Sequence, residues 1–541
     1  MRTVRPTTTH EVTNQGRPLE GVNYFDADLP LQEALAREGG GWAVDRARDT
    51  GAVAGSEEAQ EHGRRADSNE PRLLTHDRYG RRVDVVDYDP SWHWLLRGAV
   101  EREIHALPWR DPRPGAHVAR AALMGLWSQV NSGVMCPVSM TYSAIPALRL
   151  DPDLAAEWEP RLTLPDYERG ALCGMAMTEK QGGSDVRANT TRAEPVGDGL
   201  YEITGHKWFC SHPMCDVFLV LAQTPAGLTC FVVERGPGFE IQRLKDKLGT
   251  RSLASSEVEF RGVAARRLGV EGRGVATIIE MVTHTRLDCV IGSAAGMRRG
   301  VAEAVNHARH RSAFGALLAE QPLMVNVLAD LAIESEAATA TALRLARMYD
   351  DERSGDEGEA RGRNNDLRRF ATAVLKYWVC KRATPHAVEA LECLGGNGYV
   401  EDGPMPRLLR DAPLNGIWEG SGNVMSLDVL RALVREPEGL PAFLAECELA
   451  RGSDASLDAH LDSLPRTLEA LAGDDAQWLA RRAVEDLAVA FQASLLVRNA
   501  PPAVSDAFCA GRLGESRGRA FGTLPRGIDG AAIVQRALVT A

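Results

Sequence analysis

The sequence predicts an α+β protein that runs helical, then β, then helical, with one more helical module at the C-terminal end. Three observations carry that order. Amphipathic runs with helical spacing fill most of 1–168 and 269–435. Between them, 169–268 breaks into short β-rich runs divided by Gly, Pro and Asp, the pattern of a hairpin domain. Past EPEGLP at 436–441 the chain reads as a separate helical module, 436–541.

In the first region the helical period is clearest in WLLRGAVEREIHAL at 94–107 and HVARAALMGLWSQVNSG at 117–133. By contrast 45–72 is charged, contains glycine and is poor in large apolar residues, so it reads as loop or mobile linker. The β-region consists of ALCGMAMT at 171–178, LYEITGHKWFCS at 200–211, VFLVLAQT at 217–224, TCFVVER at 229–235, FEIQRL at 239–244 and SSEVEFRGV at 255–263. Long helices follow over 275–311 and 323–351. DDERSGDEGEARGRNND at 350–366 is almost without apolar residues and reads as a solvent loop, after which the helical core resumes at Leu367 and closes near Val434.

A chain of 541 residues is long enough for several packed units, and its 44% hydrophobic and 25% charged content is ordinary for a soluble globular protein. No window reaches the roughly 18 apolar residues of a membrane span. The start, MRTVRPTTTH, is charged without an apolar segment behind it, unlike a secretory signal, so a cytoplasmic location is expected. The ten cysteines contain no CxxC pair and sit singly in apolar stretches. That pattern points to small buried hydrophobes rather than to a disulfide frame or a metal site. A net charge of −12 argues against wholesale attraction to nucleic acid. Over 436–541 there are 15 acidic and 10 basic side chains, a net of −5, but within 495–541 the balance reverses. Arg498, Arg512, Arg517, Arg519, Arg526 and Arg536 stand there against Asp506, Glu515 and Asp529, a candidate phosphate-contacting stripe.

The most informative run is GMAMTEKQGGSD at 174–185, read together with WFCS at 208–211, about one hairpin later. RSAFG at 311–315, LGGNGY at 394–399 and IWEGSGN at 417–423 follow in order. These five segments resemble the acyl-CoA dehydrogenase family. Within it the chain is most similar to the bacterial adaptive-response flavoproteins, the AidB group, from Thr13-Asn14-Gln15 through SNEPRLL at 68–74 and onward, with little carried over in the last hundred or so residues. The resemblance implies the acyl-CoA dehydrogenase fold: a helical domain, a β-barrel-like middle domain and a helical bundle, here with the C-terminal module added.

It also implies FAD, bound between the β-domain and the third domain. An isoalloxazine ring needs an apolar face, polar donors along one edge and a controlled contact at N5. In the family pattern Met177 and Thr178 lie along the ring edge, Gly183 and Ser184 near the pyrophosphate, Trp208 against the ring, and Ser211 near N5. Arg311, with Phe314 and Gly315, supplies a planar fork for the pyrophosphate. Gln321 reaches the adenosine part, Gly395, Gly396 and Gly398 admit close backbone approach, and Ser421 and Asn423 contact the cofactor. The Arg311 and Gly395 groups come from another subunit in the family, so a homotetramer is implied. Glu419 stands where the family carries its base, which takes the α-proton of an acyl thioester while the β-hydride goes to flavin N5. The same resemblance implies an alternative, a protective protein that binds double-stranded DNA non-specifically through Arg512, Arg517 and Arg519 and keeps a structural or vestigial flavin. A third reading is oxidation of a small alkylating or nitro compound by the same carboxylate and flavin.

Overall fold

The computed structural model describes residues 9–350, 359–515 and 517–539. Among the described residues its first region holds eight α-helices, including Val44–Ala54, Glu57–Ser68, Ala116–Ser128 and Met135–Leu148, and one antiparallel hairpin of Arg72–His76 with Arg82–Asp87. Two of those helices fall where a loop was expected over 45–72. Helical packing in this stretch runs through small residues. Ala47, Ala54, Ala59 and Ala66 are buried, and Ser56 caps the second helix by accepting from the Ala59 N–H at 3.1 Å. The glycines let backbones approach closely. A Cβ added to Gly55 would lie 1.6 Å from the Val22 carbonyl oxygen, and one on Gly63 would lie 2.5 Å from that of Val130. A search for large apolar residues misses a helix whose buried face is Ala and Gly.

The β-region forms one seven-stranded sheet. Val217–Thr224 pairs in parallel with Cys173–Ala176 and antiparallel with Gly227–Glu234. Ser255–Leu268 pairs with Leu200–Ser211, Gly227–Glu234 and Phe239–Leu244. A single bridge from Arg192 to Gln223 joins Arg192–Gly197 to Val217–Thr224, so the ladder closes into a barrel-like ring. The interior carries Phe218, Phe231, Ile241 and Phe260, all buried.

The third region is built on the long helices Gly274–His310, Pro322–Asp350 and Glu359–Glu392, followed by Gly422–Arg435. Of the solvent loop expected at 350–366, residues 351–358 lie outside the described residues, and from Glu359 the chain is already helical. The 436–541 segment is helical, as Gly439–Glu448, Ala455–Glu469, Ala476–Asn499, Pro502–Arg512 and Gly530–Arg536. It shares its core with the third region rather than standing as a separate body. Phe443 packs on Phe370 and Phe491, and the Trp378 indole N–H donates to Gln492 at 2.9 Å. All ten cysteines are buried and unpaired. No described helix is long and apolar enough to cross a membrane.

Replacing Gly55 by Ala should lower stability by about 1–3 kcal/mol, since the new methyl group must displace backbone. A thermal melt matching that of the parent would show that the 44–68 helices are not packed through their glycines.

Candidate active site

Strand Cys173–Ala176 delivers Met177 and Thr178 to the barrel rim, where the Trp208 N–H donates to the Thr178 carbonyl at 2.8 Å. What fixes this corner is an ion pair with no exposure on either side, Lys207 to Glu179 at 2.9 Å. The Glu179 carboxylate also accepts from the Thr190 N–H at 2.7 Å, the Thr191 N–H at 3.1 Å and the Gln181 amide at 2.6 Å. The Lys207 ammonium donates in addition to the carbonyls of Leu221 at 2.7 Å and Met177 at 3.3 Å. Burial would raise the Glu179 carboxyl, but Lys207 and the Thr190–Thr191 donors outweigh it and hold the group well below the usual carboxylate range. Gly183 folds back on this corner, because a Cβ there would lie 2.6 Å from the Thr178 hydroxyl. Ser184 is exposed beside it.

Trp208 is half-buried, with the Lys245 ammonium 3.0 Å from its ring centroid. Lys245 is itself held by Glu257 at 2.8 Å. Three residues on, the Ser211 hydroxyl lies 3.3 Å from that of Ser255 and against the Cys136 thiol. Burial pushes that thiol up to about 12, so Cys136 is a neutral neighbour, and Glu419 adds to the push.

Glu419 sits in the turn before helix Gly422–Arg435 with φ +59, and Gly420 follows at φ +108. Two buried cations hold that turn. Lys376 donates to the carbonyls of Trp418 and Gly420, and Arg286 donates from Nε to the carbonyl of Glu419 at 3.0 Å while its Nη1 pairs with Asp428 at 2.8 Å. The Glu419 carboxyl is raised by burial, against the Thr285 hydroxyl, Arg286 and Lys376, and Asp288 adds to the rise. Its Oε2 is buried and has no hydrogen-bond partner. Ser421 starts the next helix without using its side chain as a cap. At Gly422 an added Cβ would lie 2.9 Å from the Arg481 guanidinium, 3.3 Å from the Tyr377 ring and 3.4 Å from Lys381 Nζ, so a cation of the C-terminal module reaches this turn. Burial, Arg481 and Lys376 all push the Lys381 ammonium down.

A second group gathers elsewhere. Phe314 and Gly315, both at positive φ, form the tip of the Ser312–Ala313/Ala316–Leu317 hairpin, and Phe314 is fully exposed. Arg311 donates to the Asn14 carbonyl at 2.9 Å, Asn14 exchanges two bonds with Ser312, and Gln321 donates to Ala313 at 2.8 Å. Gln15 accepts from Asn397 at 3.3 Å, so residues 14–15 tie the hairpin to the 395–399 turn. Gly395 and Gly396 face open space, whereas a Cβ on Gly398 would strike the Leu391 carbonyl at 2.3 Å, a packing reason for that glycine. Among the described residues no hydrogen bond or ion pair joins this group to Met177, Trp208, Ser211 or Glu419.

Comparisons with known proteins place the chain by its sequence and its fold. The chain is 42% identical over 519 residues to the "Putative acyl-CoA dehydrogenase AidB" of Escherichia coli (strain K12), covering 93% of this chain and 94% of that one. It belongs to the acyl-CoA dehydrogenase family. Three models of that family match in order: the adaptive response protein AidB N-terminal domain over 14–169, the middle domain over 174–263 and the C-terminal domain over 272–434. "Acyl-CoA dehydrogenase family member 11" of Caenorhabditis elegans is 33% identical, covering 76% of this chain and 70% of that one. The crystal structure of Caenorhabditis elegans ACDH-11 in complex with C11-CoA superposes with a TM-score of 0.84 at 29% identity, covering 95% of this chain and 93% of that one. The family is one of flavin-dependent oxidoreductases that bind FAD.

Against this family frame, Arg512 does not stand on a surface stripe with Arg517 and Arg519. Its guanidinium turns inward to Asp330 at 2.6 Å and Glu334 at 2.8 Å, while Arg517 and Arg519 are exposed. Lys207, Glu179, Lys376 and Arg481 carry no functional signal in the sequence alone, and Asn14 none beyond the start of the resemblance. Glu179 lies inside GMAMTEKQGGSD at 174–185 and Lys207 immediately precedes WFCS at 208–211, so only their pairing is hidden in the sequence.

Replacing Lys207 by Met should cost about 3–5 kcal/mol, because it strands a buried carboxylate. The purified variant should also lose its yellow colour. A flavin content and melting temperature equal to the parent's would remove the pair from its organising role.

Proposed function

We propose that this chain is an FAD-dependent acyl-CoA dehydrogenase in which Glu419 takes the α-proton of an acyl thioester. The observation that carries this is the Glu419 Oε2, buried, unpartnered and aimed from a turn held by two cations. The residues fit the cofactor. Met177, Thr178, Trp208 and Ser211 would receive the ring, with Gly183 and Ser184 turning the backbone toward its phosphates. Ser421 and Asn423, with Lys381 and Arg481 beside Gly422, would meet further phosphate charge. Arg311, Phe314, Gln321, Gly395 and Gly396 would complete the site of a second copy, which accounts for an exposed Phe314 and for exposed Leu323 and Tyr399 nearby in sequence. A homotetramer follows from that sharing in the family. When bound, FAD supplies the acceptor for the β-hydride.

The chain's own work is proton transfer and exclusion of water. Glu419 must be ionised to accept the α-proton, and burial makes it a stronger base than a carboxylate in water. The α-proton goes to Oε2, the hydride leaves from the β-carbon, and a 2-enoyl thioester remains. Because the folded Glu419 is raised, flavin reduction should increase with pH through a midpoint above the ordinary carboxyl range and level off beyond it. A DNA-contacting role rests on Arg517, Arg519 and Arg526, the exposed remainder of the C-terminal arginines.

Anaerobic titration with branched short-chain and undecanoyl-CoA tests the reading, with bleaching of the flavin band as the signal. Glu419→Gln should keep the flavin and slow bleaching by about 100-fold or more. Bleaching of the variant at the parent's rate would remove Glu419 from the base role.

A further inference from the structure

Lys376 lies on helix Glu359–Glu392 and is 1% exposed. Among the described residues it makes no ion pair, and its donors go to the carbonyls of Trp418 and Gly420. A buried ammonium without a carboxylate partner is costly, so its placement calls for a reason. Those two carbonyls flank Glu419, which adopts a left-handed φ of +59 that side chains other than Gly, Asn and Asp seldom take. Such a conformation persists where its surroundings over-determine it. Arg286 takes the carbonyl between them, at Glu419 itself, and is anchored through Asp428 to the helix that follows. Three successive carbonyls are thus held by two buried cations from two helices.

We propose that Lys376 is a positioning residue of the reaction, fixing the left-handed turn at Glu419 so that the carboxylate is aimed and placing a positive charge next to it. This rests on the reading of Glu419 as the base. One ammonium does both tasks. The hydrogen bonds to carbonyls 418 and 420 set where the side chain leaves the backbone, and the charge is a nearby opposite charge for the ionised carboxylate. The other groups facing Glu419 are Thr285, Arg286, Asp288 and Cys289 from helix Gly274–His310 and the Cys136 thiol from helix Met135–Leu148. Asp288 is held in turn by a two-pronged pair with Arg120. Of the two cations near the carboxylate, Arg286 is already paired with Asp428, which leaves Lys376 as the one whose charge has no other carboxylate to meet among the described residues.

The test uses the full-length, flavin-loaded protein and two readings. The first needs no substrate: difference infrared titration of the protonated carboxyl stretch, assigned by its loss in Glu419→Gln. Lys376→Met should move the midpoint to higher pH by about tenfold or more in proton concentration. The second is anaerobic bleaching by acyl-CoA, which should slow by about 100-fold in Lys376→Met. Lys376→Gln keeps amide donors without the charge, so it should share the shifted midpoint while recovering part of the bleaching rate at high pH. If Lys376→Met does not fold, Lys376→Gln carries the same titration. An unshifted carboxyl midpoint in the folded variant would overturn the proposal. Failure of the parent to bleach with any acyl-CoA would instead defeat the reading of the reaction, and the infrared midpoint would still decide the role of Lys376.

Discussion

The barrel corner that carries Met177 and Trp208 depends on one interaction, the Lys207–Glu179 pair at zero exposure. It is an expensive device. Both charges leave water, and their attraction repays that only when the remaining donors and acceptors are also satisfied. Here they are. Glu179 gathers the backbone of Thr190 and Thr191 and the Gln181 amide, and Lys207 gathers the carbonyls of Met177 and Leu221. The pair therefore ties together the strand end that carries Met177, the loop that carries Ser184, the strand that carries Trp208 and Ser211, and the neighbouring strand at Leu221. A hydrophobic substitute of equal volume would fill the space but leave the loop backbone without partners. Buried ionic groups in this position hold the loop in one arrangement, which the proposed flavin contact would require.

The turn at Glu419 applies the same economy with the signs arranged differently. There the cations Lys376 and Arg286 meet carbonyl oxygens, and the carboxylate is left with one oxygen unpartnered. A carboxylate pinned like Glu179 is held too low to act as a base in an apolar site. One left like Glu419 is raised by burial and retains a lone pair for a proton. The two acids are thus separated by environment, one pinned into the structure and the other left able to serve as the base of the proposed reaction.

The order of regions was legible because it rests on period, and period survives in a single sequence. The motifs carrying Trp208, Ser211 and Glu419 were legible because they are local. What failed was anything decided by a partner far along the chain. The 44–68 helices are held by Ala and Gly against Val22 and Val130, and their burial is invisible without those neighbours. Asn14 braces a hairpin 298 residues away, and nothing in Thr13-Asn14-Gln15 announces it. Pairing between Lys207 and Glu179 spans 28 residues and two motifs that were each recognised on their own.

The C-terminal arginines make the same point about charge. Counting side chains within 495–541 gave a basic stripe, but a count does not distinguish a free cation from a spent one. Arg498 is paired with Glu446, Arg512 with Asp330 and Glu334, and Arg536 with Glu33 and Glu336. Four of those five acids lie outside 436–541, and the fifth, Glu446, lies outside 495–541. Arg512 and Arg536 fasten the last helices to the rest of the molecule. From the same module Arg481 reaches Gly422, at the turn that carries Glu419. A module attached through the Arg512 and Arg536 ion pairs and reaching Gly422 through Arg481 is packed directly against the turn that holds Glu419.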